Sequence, residues 1–241
     1  MCQTIKKRIR LFFEEFKSDV GYLMSHTFLY SIYFNFRYLP FRQAKYFPII
    51  IRNTKIIGRP KITIECNNCY FGMIKVGEVG YNLWATKKSI LTFWDNGCII
   101  FRGDCKLANS CHLRVLRSGC LTFGNNFYSS SNLNVHCADS MTFGNNVTLG
   151  WNCTLTDTDY HHYYDNIKKK LSRPNNPIFI GDNCWLGFSC IVTKGSILNN
   201  HTIVGAGSVI SCNFTDSNII IKGNPAQIVR RDVSIDEKKF W

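Results

Sequence analysis

Large aliphatic residues recur every six positions from Ile180: Ile180, Leu186, Val192, Leu198, Val204 and Ile210. A smaller residue sits two places before most of them, at Cys184, Cys190, Ser196, Thr202 and Ser208; Ile178 breaks that row. Glycine follows the aliphatic position at Gly181, Gly187 and Gly205. A period of six fits neither an α-helix nor a simple alternating strand. It fits a solenoid in which six residues make one flat side and three sides make a coil. The aliphatic residue then fills the prism, and the smaller one points inward where space is tight. Glycine suits the corner, where backbone torsions unfavourable to other residues are needed.

The pattern extends upstream. Phe101, Leu107 and Leu113 form one set, with Ile99, Cys105 and Cys111 two places before them. Phe123, Ser129 and Val135 form a second set; Phe143, Leu149 and Leu155, preceded by Met141, Val147 and Cys153, form a third. Ile64, Tyr70 and Val76 make a weaker one. The spacing predicts an all-β solenoid over 56–213. Of 12 cysteines, Cys105, Cys111, Cys153, Cys184 and Cys190 fall in the small inward row. Packing explains them without disulfide or metal. The lone CxxC at Cys66 and Cys69 lacks the further ligands that zinc needs. The Asn-x-Thr sequences at Asn146, Asn152, Asn200 and Asn213 read as turns between sides.

The register breaks most between Leu155 and Ile180. An insertion over 157–177 follows, and a long excursion from a solenoid often carries function. It contains most of TDTDYHHYYD (156–165) and then the basic run with Lys168, Lys169, Lys170 and Arg173. Residues 1–55 lack the six-residue pattern. Ile5, Ile9, Phe12, Phe13, Phe16 and Val20 recur there at helical spacing, which predicts a partly helical segment. Residues 214–241 form a non-repeat tail, with a short helix expected at its end.

The formal net charge is +13, which favours an anionic partner: nucleic acid, acidic lipid headgroups or a phosphate-bearing cofactor. No RNA- or DNA-binding motif is present, so nucleic acid is not expected. The start lacks a small-residue cleavage site and does not read as a secretory signal. The uncharged run 20–36 is near the lower length for a membrane span, roughly 17–25 residues, but it is interrupted by polar residues and reads as a packed or interfacial segment. Lys6, Lys7, Arg8 and Arg10 lie beside an apolar face. That segment suits either packing within an oligomer or peripheral contact with an anionic membrane. The location expected is cytoplasmic, with possible contact at the inner face of the cell membrane.

The six-residue rows, the runs IGDNCWLG and VGAGSVI and the closing KGNPAQIVR resemble the hexapeptide-repeat acyltransferases. The stretch Thr158 to Asp165 is similar to the S-D-x-H-x-I-x-D signature of polysaccharide and sugar O-acetyltransferases in that family. The resemblance covers about 60–231 and is most specific over 156–230. It implies a left-handed parallel β-helix, a homotrimer, acetyl-CoA as acyl donor, a carbohydrate acceptor and an active site between neighbouring subunits. It implies no metal.

Acetyl transfer to a hydroxyl needs a base for the proton and donors for the developing oxyanion. Histidine is the natural base near neutral pH, and a carboxylate can orient it. If 157–162 runs extended, Asp157, Asp159 and His161 share one face and His162 takes the other. The signature also matches His161, so His161 is expected as base with Asp159 orienting it, and Asp157 and His162 on the acceptor. Family matching places the donor along Phe188, Gly205 and Ala206, then Ser211 and Cys212, with Trp185 beside the reactive end. Lys222, Arg230 and Arg231 are the candidate cations for the phosphates. Arg230 matches the family's arginine, whereas Gln227 stands where some relatives carry a second one. Two other classes compete. A zinc enzyme on the same solenoid would need three suitably spaced histidines, and the required pair five apart is missing among His112, His136, His161, His162 and His201. A non-catalytic glycan-binding or scaffold solenoid would need neither Asp159 nor His161.

Overall fold

In the computed structural model, the described residues are 26–66, 68–78, 87–116 and 118–235. They form a three-walled parallel β-helix. Wall one has nine strands, from Ile49–Ile51 to Ala226–Arg231; walls two and three have seven each, from Thr54–Gly58 to Val209–Ile210 and from Lys61–Ile64 to Asn213–Phe214. Neighbouring strands within each wall are parallel, apart from the closing hairpin of Ile219–Gly223 with Ala226–Arg231. The chain visits wall one, two and three in turn. This is the geometry that a six-residue period dictates.

The aliphatic row fills the prism. Ile180, Leu186, Val192, Leu198, Val204 and Ile210 are all buried, as are Cys184, Cys190, Ser196, Thr202 and Ser208. On wall three, Phe101, Phe123 and Phe143 stack with centroids 5.6 and 5.4 Å apart, and Phe127 packs against the stack from wall one. Burial pushes the Cys111 and Cys184 thiols up to about 11. Such thiols behave as small apolar fillers rather than nucleophiles.

Three local expectations need correction. Tyr70 does not point inward. It is exposed on the long connection between Ile64 and Ile74, and its hydroxyl donates to Asp104. Gly181, Gly187 and Gly205 are not in the left-handed region; they are needed because the next coil is too close. A Cβ at Gly187 would lie 2.8 Å from the Ala206 nitrogen. The left-handed corner residue comes two positions later, at Asn126, Asn146, Asn152, Asn183 and Ser189. The amides of Asn126, Asn146 and Asn183 bond to one another up the corner at 3.0 and 2.9 Å. Asn146 and Asn152 therefore do sit in turns, whereas Asn213 begins a strand.

Helix α1 (His26–Tyr38) closes the first coil. Its Asn35 amide donates to the Ile49 carbonyl at 2.7 Å and accepts from the Ile49 N–H at 3.1 Å, and Ser31 accepts from the Ile51 N–H at 2.9 Å. Two polar side chains thus replace the strand missing from the edge of wall one. Helix α2 (Phe41–Ala44) does the same for wall three, where Gln43 donates to the Ile64 carbonyl at 3.0 Å. Among the described residues, no helix is long and apolar enough to cross a membrane. The helical pattern from Ile5 to Val20 lies outside the described residues.

Candidate active site

The insertion leaves wall two after Thr154–Thr156 and returns to wall three at Ile178–Ile180. Its base is zipped shut. Asp159 N–H donates to the Pro174 carbonyl, Asn176 N–H donates to the Asp157 carbonyl, both at 2.9 Å, and the Thr158 hydroxyl bonds Asn175 at 2.7 Å. Beyond the base, Tyr164–Asp165 and Lys170–Leu171 pair as a short antiparallel hairpin. Lys168 pairs with Asp165 at 3.9 Å, and Lys169 takes the left-handed turn position.

The stretch 157–162 is not extended, because Tyr160 adopts φ 61° and turns the chain. The alternation that would put Asp157, Asp159 and His161 on one face therefore does not hold. Asp157 is fully buried and accepts the N–H groups of Ala138 and Asp139 at 2.7 and 3.0 Å. Burial raises its carboxyl above the usual range, against the opposing pull of those two donors. Asp159 stands half-exposed in an ion pair with Lys194 at 2.5 Å, and Lys194 also donates to the Arg173 carbonyl at 2.7 Å. His161 is exposed at the head of the loop. His162 lies 2.8 Å through Nδ1 from the Ser172 carbonyl. A carbonyl only accepts, so that contact places the ring proton on Nδ1 and leaves the Nε2 lone pair outward.

The residues expected for the donor fall on two edges. Phe188, Gly205, Ala206 and Lys222 follow one another up the corner between walls one and two. A Cβ on Gly187 would meet Ala206, and one on Gly205 would meet the Lys222 Cβ at 2.9 Å. Phe188 and Ala206 are exposed there, Trp185 projects from the adjoining wall one, and the Gly207 N–H donates to the Phe188 carbonyl at 2.9 Å. Arg230 pairs across the closing hairpin with Ile220, two places from Lys222. Both cations are exposed, while Arg231 is tied to Asp216. Ser211 and Cys212 lie at the next corner, between walls two and three.

The sequence reading missed Arg114, His136, Lys194 and the Ser172 carbonyl, and it assigned no role to Tyr160. His136 and Arg114 lie in register on wall two, and the Tyr160 hydroxyl is 2.6 Å from His136 Nδ1. Burial first, then the charges of Arg114 and His112, hold His136 below its ordinary range. The signal was present: Arg114, His136 and Thr156 each follow an inward residue of the six-residue row. Among the described residues, no three or more His, Cys, Asp or Glu side chains gather as a metal site.

No family model matches the chain. The galactoside O-acetyltransferase of Escherichia coli is 30% identical over 118 residues, which is 49% of this chain and 57% of that protein. The putative lipopolysaccharide biosynthesis O-acetyl transferase WbbJ of the same species is 27% identical over 175 residues, covering 59% of this chain and 86% of that one. The chain is thus similar in sequence to proteins named as O-acetyltransferases. It spans only a little over half the length of the first curated relatives that it matches. In fold, it superposes on the polySia-specific acetyltransferase NeuO with a TM-score of 0.50, at 18% identity, covering 80% of this chain and 91% of that one.

Proposed function

We propose that this protein transfers an acetyl group from acetyl-CoA to a hydroxyl of a sugar or polysaccharide, working as a homotrimer with His161 as general base. The observation that carries the reading is the interruption of the solenoid. A base-zipped loop presents Asp159, His161 and His162 where the chain passes from wall two to wall three, and two relatives are named as a galactoside O-acetyltransferase and a putative lipopolysaccharide biosynthesis O-acetyl transferase.

His161 takes the acceptor hydroxyl proton, and Asp159, anchored by Lys194, favours the imidazolium that forms. Phe188, Gly205 and Ala206 suit a thin extended arm, since they follow one another up one exposed corner. Lys222 and Arg230 supply positive charge where a diphosphate would end. Trp185 lines the approach, whereas Ser211 stands on the next corner, apart from this surface. Asp157 holds the loop root from beneath. His162 is the second reading for the base, favoured by its fixed tautomer.

The test separates the two histidines. Transfer from acetyl-CoA to a panel of saccharides is measured with His161→Ala and His162→Ala. The expected loss in kcat is at least about 100-fold for His161→Ala, the usual scale of a general base, and within about tenfold for His162→Ala. The reverse order moves the base to His162. Full activity in both variants defeats the proposal.

A further inference from the structure

The outer face of wall two carries a set of polar side chains that the transfer chemistry does not use. His112 and Arg114 project from one strand, Asn134 and His136 from the next, and Thr154 and Thr156 from the third, alternating with buried Leu113, Val135 and Leu155. Register aligns Arg114, His136 and Thr156 in one column and His112, Asn134 and Thr154 in the other. Strands about 4.8 Å apart make this a flat grid of donors and acceptors on the scale of a sugar ring.

Tyr160 folds back onto this grid. Its turned backbone carries the phenol to 2.6 Å from His136 Nδ1, with the two rings edge to face at 5.9 Å. The same hydroxyl lies beside the Arg114 guanidinium. The grid is thus physically joined to the loop one residue before His161.

Its charge is uncompensated. Among the described residues, the ion pairs use Glu65, Glu78, Asp159, Asp165 and Asp216, and none reaches Arg114. The carboxylate of Asp157, which belongs to the same loop, is turned away onto the Ala138 and Asp139 amides. An exposed guanidinium flanked by a fixed phenol and imidazole matches an anionic group bound through paired oxygens.

We infer that this face of wall two is an acceptor subsite in which Arg114, with Tyr160 and His136, selects a glycan bearing a negatively charged group close to the acetylated hydroxyl. The inference rests on the transfer reading of the loop and adds the charge class of the acceptor. A uronic-acid carboxylate and a phosphodiester offer the same paired oxygens, so the test carries an arm for each.

The full chain and Arg114→Gln are compared on uronate oligosaccharides against their carboxyl-reduced forms, and on phosphodiester-linked oligosaccharides against neutral ones. In the wild type, kcat/KM on one anionic arm should exceed its neutral partner at least tenfold. Arg114→Gln should shrink that ratio to within twofold, with the donor KM unchanged. The arm that responds identifies the source of the charge. No anionic preference in the wild type, or an equal preference in the variant, overturns the subsite. If no glycan is acetylated at all, it is the transfer reading that fails. The subsite is then judged by titrating the same glycans against both proteins: binding that depends on charge and is lost in Arg114→Gln upholds it, and equal or absent binding overturns it.

Discussion

The Asp157 carboxylate has no route to solvent. It is fully buried and spends both oxygens on the amides of Ala138 and Asp139, which belong to the preceding coil. Its role is therefore to fix the corner from which the loop carrying His161 departs. Asp157→Ala leaves two N–H groups unpaired in a dry site, a loss of about 3 kcal/mol. The melting temperature should fall by several degrees, while the acceptor KM of the remaining folded enzyme stays within twofold. An unchanged melting temperature with a raised KM would instead put Asp157 on the acceptor. This residue also marks where the sequence stops being readable. The inward rows could be read because each residue repeats its neighbour's environment six places on. Asp157 bonds to groups 18 and 19 residues away, outside any local period. The corner glycines were assigned the right position for the wrong reason, since their constraint comes from the next coil rather than from their own torsions.

Among elements, α1 shows how the solenoid is stopped. A parallel sheet ends in a row of open N–H and C=O groups that invites another strand. Asn35 and Ser31 bond these groups on Ile49 and Ile51 while Phe34 packs into the first coil. Asn35→Leu keeps the branched shape and removes the pairing, leaving Ile49 unpaired in both directions. The expected cost is about 3 kcal/mol, together with higher-order association on size-exclusion chromatography as the wall edge opens. A variant that stays equally stable and unassociated would show that the edge is protected by something else. The sequence reads 20–36 as a packed or interfacial segment and names no partner; its described part, from His26, packs on the edge of wall one. Asparagine and serine inside a helix look like weak helix formers until the strand edge that they satisfy is known.

At the scale of the molecule, the placement of the two proposed half-sites bears on how many copies a working site would need. The Phe188, Ala206 and Lys222 column climbs the corner between walls one and two, whereas the loop with His161 leaves the far end of wall two. One wall of about six residues separates them, roughly 20 Å at strand rise. That is too far for the proposed base and a thioester held at the proposed donor corner to meet within a single copy by this route. If a neighbour's corner meets this loop, each site takes its base from one subunit and its donor surface from the next. The expected consequence is complementation. His161→Ala alone and Arg230→Ala combined with Lys222→Ala are each nearly inactive under subsaturating acetyl-CoA. Refolding or co-expressing them in equal amounts should restore about a quarter of the sites, because one site in four then pairs an intact loop with an intact donor corner. Activity no greater than the sum of the separate variants would place the whole site within one chain.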